Sequence, residues 1–249
     1  WLDVSTVNEG RRAIGLPEVA SGQKLGLWPD GSGHRRHVVQ RQQESQPVLL
    51  KDDQGTRMQF DGQNDLLTSS HSHLRMPEFT AVLLVRPQDN RNWPGLISGN
   101  VTSRNDYQSG FNIDLMNVPT ETFSTLMTEG PNYAGVVNIM KDQIPFGQWT
   151  IVTVTSRSGP GGVQLRINGK PQGQRDRPDS IHVADELTIG ARYWSNDSGI
   201  PPYNRGFLHG DVSQVLLYST VLNDTELKDI EAWLDGSPIN VLNADALKK

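Results

Sequence analysis

The chain has no cysteine among its 249 residues. That removes disulfides, thiol catalysis and thiolate metal sites together. A secreted eukaryotic domain of this kind would be expected to carry a bridge, so the absence points to a bacterial exported protein or an intracellular one. No stretch reaches the eighteen or so apolar residues of a membrane helix. A basic-then-apolar leader is also missing. The opening Trp1-Leu2-Asp3 reads as the end of a strand, which suggests an excised domain or a processed chain. Basic charge is not in excess: 23 Lys and Arg against 28 Asp and Glu give a formal net charge of −5. Such a balance offers no field for nucleic acid or anionic lipid.

Apolar residues make up only 35%, while Gly 24 and Pro 15 are plentiful. That composition favours many short strands joined by turns over long helices. A chain this long can bury a sufficient core as one β-domain without staples. Strand candidates are 57–60, 79–85, 110–116, 123–127, 136–140, 149–155, 163–167, 186–189 and 207–218. Residues 79–85 are apolar on both faces and predict a central strand. Trp149 is expected to anchor the space between sheets. Asn168-Gly169 is a strong hairpin signal, because both residues tolerate positive φ. Only one helix is convincing: Asn223 and Glu226 form a capping box, and Leu227, Ile230, Trp233 and Leu234 fall on one stripe. Residues 1–50 read as an irregular leading segment, 51–220 as the sandwich and 223–235 as the helix, within a single domain 1–249.

Several motifs resemble, in order, the laminin G-like pattern of the concanavalin A-like lectin/glucanase jelly roll. They are Trp28-Pro29-Asp30-Gly31-Ser32-Gly33, Phe60-Asp61-Gly62-Gln63-Asn64-Asp65-Leu66-Leu67 and Phe79-Thr80-Ala81-Val82. Trp149-Thr150-Ile151-Val152-Thr153-Val154, Leu165-Arg166-Ile167-Asn168-Gly169-Lys170 and Leu187-Thr188-Ile189-Gly190-Ala191 follow. The alternating run 206–218 closes the series. The resemblance implies an all-β, two-sheet antiparallel jelly-roll sandwich with one short C-terminal helix. It says little about activity, since the fold carries lectins, glycosidases, lyases and adhesion modules.

It also implies a structural calcium ion, with Asp211 from the last long strand and Asp61 and Asp65 from an early loop. Calcium takes six to eight oxygens, so acids on converging loops would suit it. The alternative is that Asp61 closes a turn and Asp211 pairs with an arginine or an amide. His71-Ser72-His73 and His34 with His37 have spacings that metals use, but both read as solvated loop residues, with 69–74 as loop. Jelly-roll glucanases place paired acids on one strand, and no such pair occurs; Phe111-Asn112-Ile113-Asp114 presents one acid. Neither the lyase triplet nor a serine elbow is found: Ser180-Ile181-His182 has the wrong first residue. Of three glycosylation sequons, Asn223 has a better use as a helix cap.

Loop aromatics flanked by Asn, Asp and Arg suit stacking on sugar rings. The expected ligand surface uses Trp93, Tyr107, Tyr193, Trp194 and Arg205; Tyr133 and Tyr203 are further loop rings. The leading expectation is a non-catalytic carbohydrate- or polymer-binding module of a larger exported protein. It would be extracellular, periplasmic or on the cell surface. Its partners would be a glycan and other domains of the parent, with neither nucleic acid nor membrane insertion. The alternatives are a hydrolase or lyase with loop-borne acids, and an interaction module without a sugar site.

Overall fold

The computed structural model describes residues 1–53, 55–133, 135 and 137–236. Two antiparallel sheets enclose one apolar core. The first runs Lys170–Arg177, Gly159–Ile167, Thr150–Ser156, Phe79–Pro87, His209–Tyr218, Gly55–Asp61, Val48–Asp52 and Gln23–Lys24, and Leu2–Asp3 also pairs with His209–Tyr218. The second runs Met127–Glu129, Phe111–Asp114, Gly95–Asn100, His182–Ile189, Leu67–Met76, Val38–Val39 and Leu27–Trp28. This is the expected two-sheet jelly-roll sandwich.

The strand Phe79–Pro87 is central and buried on both faces because its two sets of side chains serve two cores. Phe79, Ala81, Leu83 and Val85 face the second sheet. Val82 and Leu84 pack outward with Trp149, Ile151, Leu216 and Leu234. Trp149 therefore sits on the outer face of the first sheet, not between the sheets as the sequence suggests. Its strand begins one residue later, at Thr150, and the C-terminal helix covers it. That helix, Asp224–Asp235, has the expected capping box: Asn223 accepts from Thr225 and Glu226, and Glu226 reaches back to the Asn223 amide. At the hairpin, Asn168 and Gly169 have φ of 48° and 75°.

Two further helices, Val7–Ala13 and Asp106–Ser109, add to the single one expected. Val7–Ala13 shows no apolar stripe because a charged group holds it. Arg11 is buried and donates to the carbonyls of Pro17 and Leu27 at 2.8 and 3.0 Å. The leading segment is likewise less irregular than expected. Four two-residue strands tie it to both sheets, and Trp28 is buried in the core.

Residues 69–74, expected as loop, lie inside the strand Leu67–Met76. Serine and histidine conceal the alternation there, while the backbone pairs with His182–Ile189 at 67–70 and 74–76, with an irregularity at 71–73. Conversely, 137–140 form no strand, and Val136 lies outside the described residues. The Asn138 side chain accepts from the amides of Leu126 and Met140, bonds that replace a ladder. The expected 123–127 strand splits into Thr122–Phe123 and Met127–Glu129. At Gly190 φ is 81°, and a Cβ would lie 2.4 Å from the Phe60 ring. Glycine is required there on both counts.

Candidate functional site

The outer face of the second sheet carries Asn112 and Asp114, because alternation turns Phe111 and Ile113 into the core. Over that face lie the helix Asp106–Ser109 and a hairpin of Arg192–Trp194 with Tyr203–Arg205. Arg192 reaches down from the hairpin and is buried. Its Nε and Nη2 donate to both oxygens of Asp106 at 3.0 and 2.9 Å, and Nη2 donates to Glu129 at 3.0 Å. Nη1 lies 3.0 Å from Asp114 Oδ2. Asn112 bridges two of these acids, donating to Glu129 at 3.0 Å and to Asp106 at 3.3 Å.

Three buried carboxylates thus share one guanidinium. Burial would lower the Arg192 pKa, but Asp114, Asp106 and Glu129 outweigh it and hold it above its ordinary value. Asp114 bears the cost of the excess negative charge. Burial first, then Glu129 and Asp106, push its carboxyl up to about 8 against the pull of Arg192. At neutral pH the site therefore holds a proton on Asp114. None of these four residues was identified as part of a site from the sequence. The one available signal was alternation in 111–114, which puts Asn112 and Asp114 on the same face.

Above this base the loop is tied to the hairpin. Asn105 accepts from the Ser195 amide at 2.8 Å and donates to the Ser195 carbonyl at 3.1 Å, as a strand neighbour would. Tyr107 Oη donates to Asn196 at 2.8 Å. Arg205 lies 4.2 Å over the Trp194 ring and 5.3 Å from Tyr203, whose ring is 46% exposed. The structure therefore gathers Tyr107, Trp194 and Arg205 on one surface, and Tyr203 joins them. Trp93 lies beside them through its backbone: a Cβ on Gly206 would meet the Trp93 carbonyl at 2.3 Å. Tyr193 pairs with Asn204, so strand alternation sets it on the hairpin face opposite Trp194. Tyr133 belongs elsewhere, under Arg175 at 3.8 Å. Trp194 Nε1 and Asn204 Oδ1 are buried polar atoms without a hydrogen bond.

The acids expected to hold calcium have other partners. Asp61 Oδ1 accepts from the amides of Gln63, Asn64 and Asp65, which closes a turn. Asp65 is buried 3.8 Å from Lys24, and burial with the Asp61 charge raises its carboxyl to about 6. Asp211 lies between two guanidiniums, accepting from Arg86 Nε at 2.9 Å with Arg57 Nε at 3.6 Å. Among the described residues, no group of three or more His, Asp or Glu is arranged to hold a metal ion. A carboxylate flanked by two arginines does not fit a cation, and the donor set does not suit calcium. His73 is exposed beside Asp185 at 3.4 Å, while the His71 side chain lies outside the described residues. His34 is exposed, and His37 accepts from the Asp30 amide. Asn100 is buried and Asn223 caps the helix, so two of the three sequon asparagines have structural uses.

No helix among the described residues is long and apolar enough to cross a membrane. No curated protein matches the chain. Among solved structures, it is similar to domain 4 of AbnA, an extracellular arabinanase from Geobacillus stearothermophilus solved with arabinotriose. That match has TM-score 0.56 and 16% identity over 92% of this chain and 97% of that one. A heptameric SAP-like pentraxin from Limulus polyphemus matches with TM-score 0.57 and 18% identity, over 72% of this chain and 83% of that one. Trypanosoma rangeli sialidase matches at 0.52 and 11%, over 89% of this chain and 32% of that one. These likenesses establish the fold. A family profile matches residues 60–228, and on that basis the chain belongs to the concanavalin A-like lectin/glucanases superfamily.

Proposed function

We propose that the chain is a non-catalytic module of a larger extracellular or surface protein, binding a glycan or a related polymer. The observation that carries this reading is the surface formed by Tyr203, Arg205, Trp194 and Tyr107. An exposed ring beside a guanidinium offers a sugar one apolar face and several donors. Asn196, which accepts from Tyr107 Oη at 2.8 Å, adds a polar side chain beside that ring. The buried Arg192 cluster beneath fixes the hairpin and the 106–109 helix, so the surface is organised before a ligand arrives. The arabinanase domain, similar from end to end, was solved with arabinotriose. That association supports a saccharide over other polymers.

The acids nearest this surface, Asp106, Asp114 and Glu129, are held by Arg192 instead of facing an open cleft. That observation favours binding over the alternative of hydrolysis or elimination. The test is a glycan array probed with the purified chain and with Tyr203→Ala. Signal for one glycan class from the parent, reduced in the variant, supports the reading. A folded chain with no signal would overturn it, as would release of reducing ends from the bound polymer.

A further inference from the structure

Two guanidiniums meet the Trp194 ring and are compensated unequally. Arg192 lies 5.4 Å from the ring centre and Arg205 4.2 Å. Arg192 is buried and shared by Asp106, Asp114 and Glu129. Arg205, only partly buried, has no ion pair and no side-chain hydrogen bond to a described residue. Its contacts are aromatic: Trp194, and Tyr203 at 5.3 Å. A ring face steadies a cation but accepts no ordinary hydrogen bond, so the N–H fork of Arg205 stays uncommitted.

The acids around it are engaged elsewhere. Asp106 and Glu129 accept from Arg192 and Asn112 in the buried base. Glu186 accepts from Asn100 and Thr102. Asp197 is exposed at the hairpin tip and is bonded there through its backbone, to Ser195 Oγ and the Ile200 amide. Arg104, also exposed, adjoins Asn105, which ties its loop to Ser195. The loop 101–109 and the hairpin 192–205 therefore present two arginines, Arg104 and Arg205, against a single exposed acid.

A neutral sugar would stack on Tyr203, which is 46% exposed, and lend hydroxyls to the fork. It would still leave the Arg205 charge without a counter-ion. A carboxylate on the sugar ring supplies one, because two oxygens in a plane match two N–H groups in a plane. The rings beside Arg205 already restrict it, so little side-chain freedom is lost on binding. We infer, resting on the glycan reading above, that this surface takes an acidic saccharide of the uronate type and that Arg205 selects its carboxylate.

The probes are trigalacturonate and a glucuronate trisaccharide, each beside its methyl ester, with arabinotriose and a sulfated galactotriose as further arms. Each is titrated into the full chain. One of the acids should bind, and its ester should bind about tenfold more weakly or worse. Arg205→Gln should bind acid and ester alike, at the affinity the parent shows for the ester. Arg205→Lys, which keeps the charge without the fork, should keep only part of the preference. Tyr203→Ala should weaken acid and ester by the same factor, since stacking does not read the carboxylate.

The acid and ester comparison on the parent chain needs no variant to fold. An ester bound as tightly as its acid, or arabinotriose bound as tightly as the better acid, would overturn the inference and leave the glycan reading standing. Equal binding of the sulfated sugar, or of a triaspartate peptide, would show that charge alone is read and would reject a carboxylated saccharide. A preference for the acid that survives in folded Arg205→Gln would remove Arg205 from the role. Binding of no saccharide at all would overturn the glycan reading itself, and the acidic class with it.

Discussion

Asp114 Oδ2 lies 3.0 Å from Arg192 Nη1, yet Asp114 keeps its proton at neutral pH because burial, with the charges of Glu129 and Asp106 on the same guanidinium, outweighs the pull of Arg192. The sign of the resulting pH dependence follows directly. An unfolded Asp releases its proton near pH 4, whereas the folded site holds it to about 8. The contribution is complete below about pH 4 and is lost as pH rises toward 8. Asp114→Asn cannot ionise, so the variant should gain on the parent across that window, by a few kcal/mol at most. Urea unfolding at pH 5, 7 and 9 measures this. A variant no more stable than the parent at pH 9 would contradict the assignment.

The same geometry makes Arg192 hard to replace. Removing it leaves three buried acids without their shared cation, an effect on the order of 3–5 kcal/mol. Lysine should rescue little, because a single ammonium cannot reproduce the fork that spans Asp106 while touching Glu129 and Asp114. The expected stability order is parent, then Arg192→Lys, then Arg192→Met. Adding Asp114→Asn to Arg192→Met should recover little at neutral pH, where Asp114 already carries a proton, so the remaining loss falls on Asp106 and Glu129. A lysine variant as stable as the parent would show that the fork is not used.

The contrast between legible and hidden features is physical. Asn168-Gly169, the capping box at Asn223 and the doubly apolar Phe79–Pro87 could be read because each is local, its partners lying within a few residues. Arg192 could not be read, since its partners Asp106 and Glu129 lie 86 and 63 residues away and only the closed fold brings them together. Leu67–Met76 was obscured for another reason. Its serines and histidines break the alternation that marks a half-buried strand, so only pairing with His182–Ile189 reveals it. The grouping of the loop aromatics was partly legible. Polar-flanked aromatics named Tyr107, Trp194 and Arg205 correctly as neighbours, whereas the direction of Tyr193 depends on hairpin register.

Gly190 tests the seam between the two sheets. At φ 81°, with Phe60 placed 2.4 Å from any added Cβ, alanine must both strain the backbone and displace a core ring. Gly190→Ala should cost at least about 2 kcal/mol. A melting temperature within about two degrees of the parent would refute that, since a shift of this size moves a domain of this length by several degrees.

The glycan surface should separate from stability. Tyr203 is half exposed and Arg205 stacks on Trp194 from outside the ion cluster. Tyr203→Ala and Arg205→Ala should each weaken the glycan found on the array by about tenfold, with unfolding changed by less than about 1 kcal/mol. Equal losses of binding and stability would mean that these groups hold the hairpin instead of the ligand.

Calcium provides the sharpest contrast between what the resemblance implies and what the side chains do. Asp211 is buried, with Arg86 and Arg57 at 2.9 and 3.6 Å, so two cations already stand next to its carboxylate. Arg57 is itself paired with both oxygens of Asp52, so it cannot withdraw without breaking a second contact. Calcium or a chelator should therefore leave the melting temperature unchanged to within about one degree. Asp211→Asn should change stability by the same amount with and without calcium, because burial already raises the Asp211 carboxyl and Arg57 keeps Asp52 as its partner. The two explanations part at one measurement: a calcium-dependent rise in melting temperature that the parent shows and Asp211→Asn loses would make the carboxylate a metal ligand.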